Sequence, residues 1–291
     1  MERTMKGKVV LITGANSGIG YETALALAKM GATVVMVARD KKKGKEAQKE
    51  IIEASGNKKV DLLIADLASL DDVRKLAKDF QAKYDHLHVL INNAGGINWE
   101  RTETKEGFET TFGVNHLAHF LLTKLLLDLI KASAPARIIN VSSRAHTSGK
   151  MDFSDLMSKN YGPMKAYSAS KLANILFTYE LARRLKGTKV TVNALHPGVV
   201  RTRFYSANSF GLRMGMAMIT PFMINAQKGA QTSIYLASSP EIEGVTGKYF
   251  AKSKPVDSNK ISYNKDVAKQ LWDISERLVE HHGKEPEQEK E

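Results

Sequence analysis

The chain has 291 residues, 43% hydrophobic and 25% charged, with no cysteine and a formal net charge of +12. That composition is ordinary for a globular protein and long enough for a sizeable core, and the lack of cysteine excludes disulfides, zinc–thiolate centres and cysteine nucleophiles. The lysines of "RDKKKGKEAQKE" and "DDVRKLAKDFQAKYD" are mixed with Asp and Glu at helical spacing, as on solvated outer faces, and no basic patch interleaved with aromatics is present, so no nucleic-acid partner is expected.

The amino terminus, "MERTMKGKVVLITG", carries charges and then an apolar run that stops at Thr13-Gly14. The run is too short to span a membrane and has no small-residue cleavage site, so it reads as a first strand and a cytoplasmic location is expected. Further β-branched runs follow in order: "ATVVMVA", "KVDLLIA", "HVLINNAG", "RIINVSS" and "KVTVNALHPG". Between them, "YETALALAKMG", "LDDVRKLAKDFQAKY", "FETTFGVNHLAHFLLTKLLLDLIKAS" and "AYSASKLANILFTYELARRLKG" repeat apolar residues at helical spacing. This alternation predicts a doubly wound parallel α/β sheet of about seven strands, with helices on both faces, in a single domain over 1–280. The tail "HHGKEPEQEKE", 281–291, is polar, contains a proline and is expected to be disordered. Its adjacent His281 and His282 cannot share a helix face, and no metal site is expected.

Ligands of such sheets bind beyond the carboxyl ends of the strands. Polar residues collect there: Gly14 to Gly20, Arg39, Asp66, Asn92 to Gly95, Ser142 with Ser143, and Pro197 to Thr202. In "TGANSGIG", Gly14 permits a tight turn, Gly18 lets backbone amides approach an anion, and Gly20 allows close helix–strand packing at a helix amino terminus. In "YSASK", Tyr167 and Lys171 share a helix face, where a lysine ammonium can favour the phenolate. Strand alternation turns Ser142 and Ser143 to opposite sides, so only one faces a ligand. His116, His119 and His196 read as packed or hydrogen-bonded structural residues. The sequon at Asn140 falls in a predicted buried strand and is set aside.

The ordered set Thr13 to Gly20, Asn92 to Gly95, Asn115, Ser143, Tyr167 with Lys171, and Pro197-Gly198 resembles the classical short-chain dehydrogenase/reductase family, from about Gly7 to Phe250. The resemblance implies catalytic residues Asn115, Ser143, Tyr167 and Lys171, and a dinucleotide held by Gly14, Asn16, Ser17, Gly18, Ile19 and Gly20. It also implies Asp66 and Leu67 at the adenine, Asn93 at its ribose with Ala94 and Gly95 beside it, and Pro197, Gly198, Val200 and Thr202 towards the nicotinamide. Tyr167 would be the general acid or base. Lys171 would lower its pKa and bind ribose hydroxyls, Ser143 would hydrogen-bond the substrate oxygen, and Asn115 would hold a relay water. Bringing a phenol from about 10 to about 7 needs roughly 4 kcal/mol of differential stabilisation.

An NAD site usually carries a carboxylate at the end of the second strand for the ribose 2′-hydroxyl. Here that position is Ala38, followed by Arg39, whose planar fork suits a 2′-phosphate, so NADP(H) is favoured. A register slip of one residue would make Asp40 the ribose ligand and NAD(H) the cofactor; otherwise Asp40 caps the next helix. The segments "GFETTFGVNHLAHFLLT", "SAPARIINVSS", "LHPGVVRT", "KGAQTSIYLA" and "GKYF" look most like the branch of retinol dehydrogenases and NADP-dependent carbonyl reductases. That likeness implies a small lipophilic carbonyl or alcohol as substrate. The Met- and Phe-rich stretch 203–225 reads as a substrate lid, and the reading leaves open peripheral membrane contact through it and a homo-oligomer. The competing function is a catalytically silent NADP(H)-binding sensor or scaffold of the same fold.

Overall fold

The computed structural model describes residues 4–198 and 224–281. The strands are β1 (Val9–Thr13), β2 (Thr33–Ala38), β3 (Val60–Ile64), β4 (Val89–Asn92), β5 (Ala136–Val141), β6 (Val190–His196), β7 (Lys248–Ala251) and β8 (Lys254–Val256). They form one sheet in the order β3-β2-β1-β4-β5-β6-β7-β8, parallel except where β8 returns antiparallel on β7. The helices are α1 (Gly18–Lys29), α2 (Lys41–Ser55), α3 (Leu70–Gln81), the short α4 (Thr110–Phe112), α5 (Ala118–Ala132), α6 (Pro163–Arg184), α7 (Ala226–Ser238) and α8 (Lys265–His281). A π turn, Gly113–Leu117, joins α4 to α5.

Alternation along each strand builds two core layers. Leu11, Val35, Leu90, Ile138 and Val192 pack in one layer with Leu76 and Phe80 of α3, Phe120 of α5 and Phe177 of α6. Val10, Ile12, Val34, Met36, Ile91, Ile139 and Leu195 pack in the other with Ala24 and Leu27 of α1 and Leu236 of α7. Central strands are therefore apolar on both faces, which is why they appear in the sequence as continuous rather than alternating apolar runs.

The sheet has eight strands rather than about seven. The extra one, β8, is three exposed residues that include Pro255, and it follows a two-residue turn in which Lys252 and Ser253 take φ values of 49° and 59°. Nothing in "AKSKPV" has the glycine or asparagine that usually marks such a turn, and proline is tolerated only because β8 is an edge. Asn140 is 1% exposed inside β5, so its sequon is inaccessible in the folded chain. Among the described residues, no helix is long and apolar enough to cross a membrane. Within the expected lid, 203–225, only Ile224 and Asn225 are described; Val200, Thr202 and the tail beyond His281 also lie outside the described residues.

Candidate active site

A crevice of about 450 Å³ opens beyond the carboxyl ends of β1, β4, β5 and β6, where the strand order reverses about β1. One wall is the β1–α1 turn, with Gly14, Asn16, Ser17, Gly18, Ile19 and Gly20. Asn93, Ala94 and Gly95 follow β4 beside it. Ser143, Tyr167 and Lys171 line the far side, with His196, Pro197 and Gly198 after β6.

The glycine turn is built for close approach. Gly14 and Gly18 have φ of +65° and +57°, and a Cβ on Gly20 would lie 2.3 Å from Gly14 O and 2.6 Å from Asn93 Nδ2. The amino terminus of α1 therefore sits hard against the end of β1, where its unpaired amides can meet an anion. Thr13 organises the neighbouring loop. Its Oγ1 accepts the N–H groups of Asn93 and Ala94, both at 2.9 Å, and stands 2.9 Å from His119 Nε2. His119 Nδ1 is 3.1 Å from Asn115 O, a carbonyl that can only accept, so the ring carries its proton there and Thr13 donates to Nε2. Burial pushes His119 down to about 4, which keeps it neutral. Asn93 Nδ2 donates to Thr13 O at 2.8 Å, tying the β4 loop to the glycine turn.

Beyond β5 the serines separate. Ser142 is buried and its Oγ donates to Lys171 O at 2.7 Å, while Ser143 is half-buried on the crevice with its Oγ accepting Ala145 N–H at 3.2 Å. Tyr167 stands on the first turns of α6, half-buried. Lys171 Nζ lies 5.7 Å from the centroid of its ring and donates to Val141 O at 3.1 Å. Lys171 is 3% exposed, and that desolvation brings its ammonium from 10.5 down to about 8, so it stays mostly charged at neutral pH. Asn115 sits in the π turn with no exposure. Its Oδ1 accepts Gly96 N–H at 2.9 Å, and its Nδ2 donates to Gly96 O and Ser170 Oγ, each at 2.9 Å. Asn115 supports the crevice from behind rather than lining it.

Arg39, Asp66 and Leu67 lie outside the crevice, past the ends of β2 and β3. From β2 to β5 is three strand spacings, about 14 Å, so an extended ligand running from Arg39 to Tyr167 follows the sheet edge. Arg39 is exposed. Asp40 caps α2: its Oδ1 accepts Lys42 and Lys43 N–H at 2.9 and 3.0 Å, and those bonds, Lys43 first, hold its carboxyl below the usual range. Asp66 Oδ1 accepts Ala68 N–H at 3.0 Å, and Leu67 is buried.

Three features had no clear sequence signal. Met164, 53% exposed, borders the crevice at the start of α6, among lysines that hid it. Ser170 Oγ donates to Tyr167 O at 2.8 Å while accepting from Asn115. His146 Nδ1 donates to Ser143 O at 2.6 Å, and its Nε2 accepts Asn259 N–H at 3.1 Å, so a residue 113 positions away steadies the turn behind Ser143. His196 behaves as the sequence suggested: its Nδ1 accepts Arg144 and Gly198 N–H at 3.2 and 3.3 Å, and burial pushes it down to about 4. His116 is packed between α5 and α8, its Nε2 2.8 Å from Ser275 Oγ.

The short chain dehydrogenase family model matches residues 8–209. The chain is 47% identical to Homo sapiens retinol dehydrogenase 14, over 94% of this chain and 87% of that protein. It is also 47% identical to Mus musculus retinol dehydrogenase 12, over 94% of this chain and 86% of that protein. Its fold is similar to that of an uncharacterized protein from Mycobacterium Paratuberculosis, with TM-score 0.78 and 35% identity over 96% of this chain and 95% of the other. It is likewise similar to the Pseudomonas aeruginosa RhlG/NADP active-site complex, with TM-score 0.69 and 27% identity over 85% of this chain and 95% of the other. Six ordered motifs around one crevice and relatives along nearly the whole chain agree: the protein belongs to the short-chain dehydrogenase/reductase family and is an oxidoreductase acting on CH–OH groups.

Proposed function

We propose that this protein is an NADP(H)-dependent oxidoreductase that interconverts an apolar alcohol and its aldehyde or ketone, a retinoid or another lipophilic carbonyl. The observation that carries this reading is the placement of Tyr167, Lys171 and Ser143 on one side of the crevice whose other wall is the glycine turn. Hydride transfer is the chemistry of the nicotinamide when bound. The chain's part is to orient and to move a proton. Tyr167 gives a proton to the developing alkoxide during reduction and takes one during oxidation. The Lys171 ammonium, held near the phenol by Val141 O, favours the phenolate electrostatically, and Ser143 Oγ hydrogen-bonds the reacting oxygen. Asn115 acts from behind, through Gly96 and Ser170.

Two observations support the phosphorylated dinucleotide. Asp40 is taken up by the α2 cap, and Arg39, exposed after β2, has the planar fork that suits a 2′-phosphate. The complex of the RhlG neighbour contains NADP. For the substrate, the exposed Met164 at the crevice mouth gives an adaptable apolar contact, and the named relatives are retinol dehydrogenases. The test is NADPH consumption with retinal, aliphatic aldehydes and aromatic ketones. Tyr167→Phe should lower turnover of the best substrate by about 10²- to 10⁴-fold while binding NADPH almost as wild type does. Equal turnover by the variant would overturn the assignment.

A further inference from the structure

A second cavity, of about 1280 Å³, opens at the amino-terminal end of the sheet, opposite the crevice. Four neighbouring strands begin there, in the sheet order β1, β4, β5, β6, and each brings a base: Lys8 before β1, His88 before β4, Arg137 in β5 and Lys189 before β6. Backbone bonds hold this row in register. His88 N–H donates to Val9 O at 3.0 Å, Arg137 N–H to His88 O at 2.8 Å, and Ala136 N–H to Lys189 O at 3.2 Å. The row spans three strand spacings, about 14 Å. Pro135, Ala182, Leu185 and Ala237 add apolar surface to the same cavity.

The charges of this cavity are unbalanced. Among the described residues, neither Arg137 nor Lys8, Lys186, Lys189 or Lys265 has a carboxylate within 4.0 Å, whereas Arg183 at the rim is paired with Glu180. Glu243 is the one carboxylate among the lining residues, and it acts on Arg137 only at longer range. The half-buried Arg137 guanidinium donates from Nη1 to Leu236 O at 3.0 Å and makes no other side-chain hydrogen bond among the described residues. A guanidinium has five N–H donors, so most of those on Arg137 are open to an acceptor that enters the cavity. His88 Nδ1 accepts Val9 N–H at 3.1 Å, so the neutral ring carries its proton on Nε2, as another donor.

We propose that this cavity is a second ligand site, which takes an amphipathic anion: a carboxylate or phosphate head on Arg137, flanked by Lys8, His88 and Lys189, with an apolar chain along Ala182 and Leu185. An arginine fork matches either head in bidentate fashion, and the surrounding aliphatic surface distinguishes this ligand from a bare inorganic ion. The site is independent of the crevice and uses none of its residues.

Calorimetric titration of the full chain tests this, with oleate, 1-oleoyl lysophosphatidate, the neutral 1-oleoylglycerol and inorganic phosphate, all below micellar concentrations. Saturable binding of oleate, lysophosphatidate or both is expected, with the neutral lipid and free phosphate at least tenfold weaker. The stronger of the two anions identifies the head. R137Q should weaken the anion at least tenfold, and the double variant K8E/K189E, which leaves the Leu236 bond intact, should do the same. NADPH affinity and carbonyl turnover should stay as in wild type in both. The proposal fails if no anion binds, if the neutral lipid binds as tightly, if both variants keep wild-type affinity, or if saturating NADPH displaces the anion.

Discussion

Lys171 shows how one residue can be costly for stability and useful for chemistry. Burial brings its ammonium from 10.5 to about 8, so between those values the unfolded chain binds this proton more tightly than the native one. The resulting loss of stability is complete below about pH 8, shrinks as pH rises and is gone above about 10.5. Lys171→Met should therefore gain most over wild type near neutral pH, with the gap closing towards about pH 10, as read from urea midpoints; a constant gap would contradict the assignment. The same variant should lose turnover, since the charge beside Tyr167 is gone. Arg39→Ala should weaken NADPH by roughly tenfold or more and NADH hardly at all, reflecting about 1.4 kcal/mol or more of lost charge-assisted hydrogen bonding. Parallel dissociation constants for the two nucleotides check this, and equal weakening would place Arg39 away from the 2′-phosphate. The placement of single residues was largely legible in the chain, because Tyr167 with Lys171 and the alternation of Ser142 with Ser143 depend only on helical and strand periodicity. Thr13 was not: its hydroxyl meets Asn93, Ala94 and His119 only after the strands align.

Among the elements, α1 is constrained most where it begins. A methyl group on Gly20 would meet Gly14 O at 2.3 Å, a backbone atom that cannot swing aside. Gly20→Ala should cost about 1–3 kcal/mol by overpacking, and should also weaken NADPH binding, since α1 must move away from β1. Thermal denaturation together with NADPH titration would show both effects, and a variant as stable and as tightly binding as wild type would refute the tight fit. The first six strands announce themselves as short apolar runs, and the helices between them as longer stretches with apolar residues at helical spacing. The π turn does not, because one extra residue in a helical turn leaves the apolar pattern of "FGVNHLAHF" looking helical throughout. The hairpin into β8 is equally silent in the sequence, since its turn residues are Lys252 and Ser253.

Over the whole molecule, distant segments complete each site. Asn259 N–H donates to His146 Nε2, its Nδ2 donates to His146 O and Thr147 O, and His146 donates in turn to Ser143 O. Asn259→Ala should therefore lower kcat by up to about 10²-fold through displacement of Ser143, with NADPH affinity unchanged because the glycine turn is untouched. Steady-state kinetics beside cofactor titration separates the two, and an unaltered kcat would show that the turn holds without this clamp. Such long-range ties were invisible in the sequence, as was the row of Lys8, His88, Arg137 and Lys189, whose members are scattered along the chain and join only through strand order. Strand order also bears on how the protein is made. β1 is synthesised first yet lies in the middle of the sheet, between β2 and β4. β3 ends at Ile64, but β4 is complete only at Asn92. On the ribosome, at about 5–20 residues per second, one edge of β1 thus waits on the order of seconds for its partner. During that interval the nascent chain displays one unpaired edge of a strand that is apolar from Val9 to Ile12, which is the surface a chaperone would meet first.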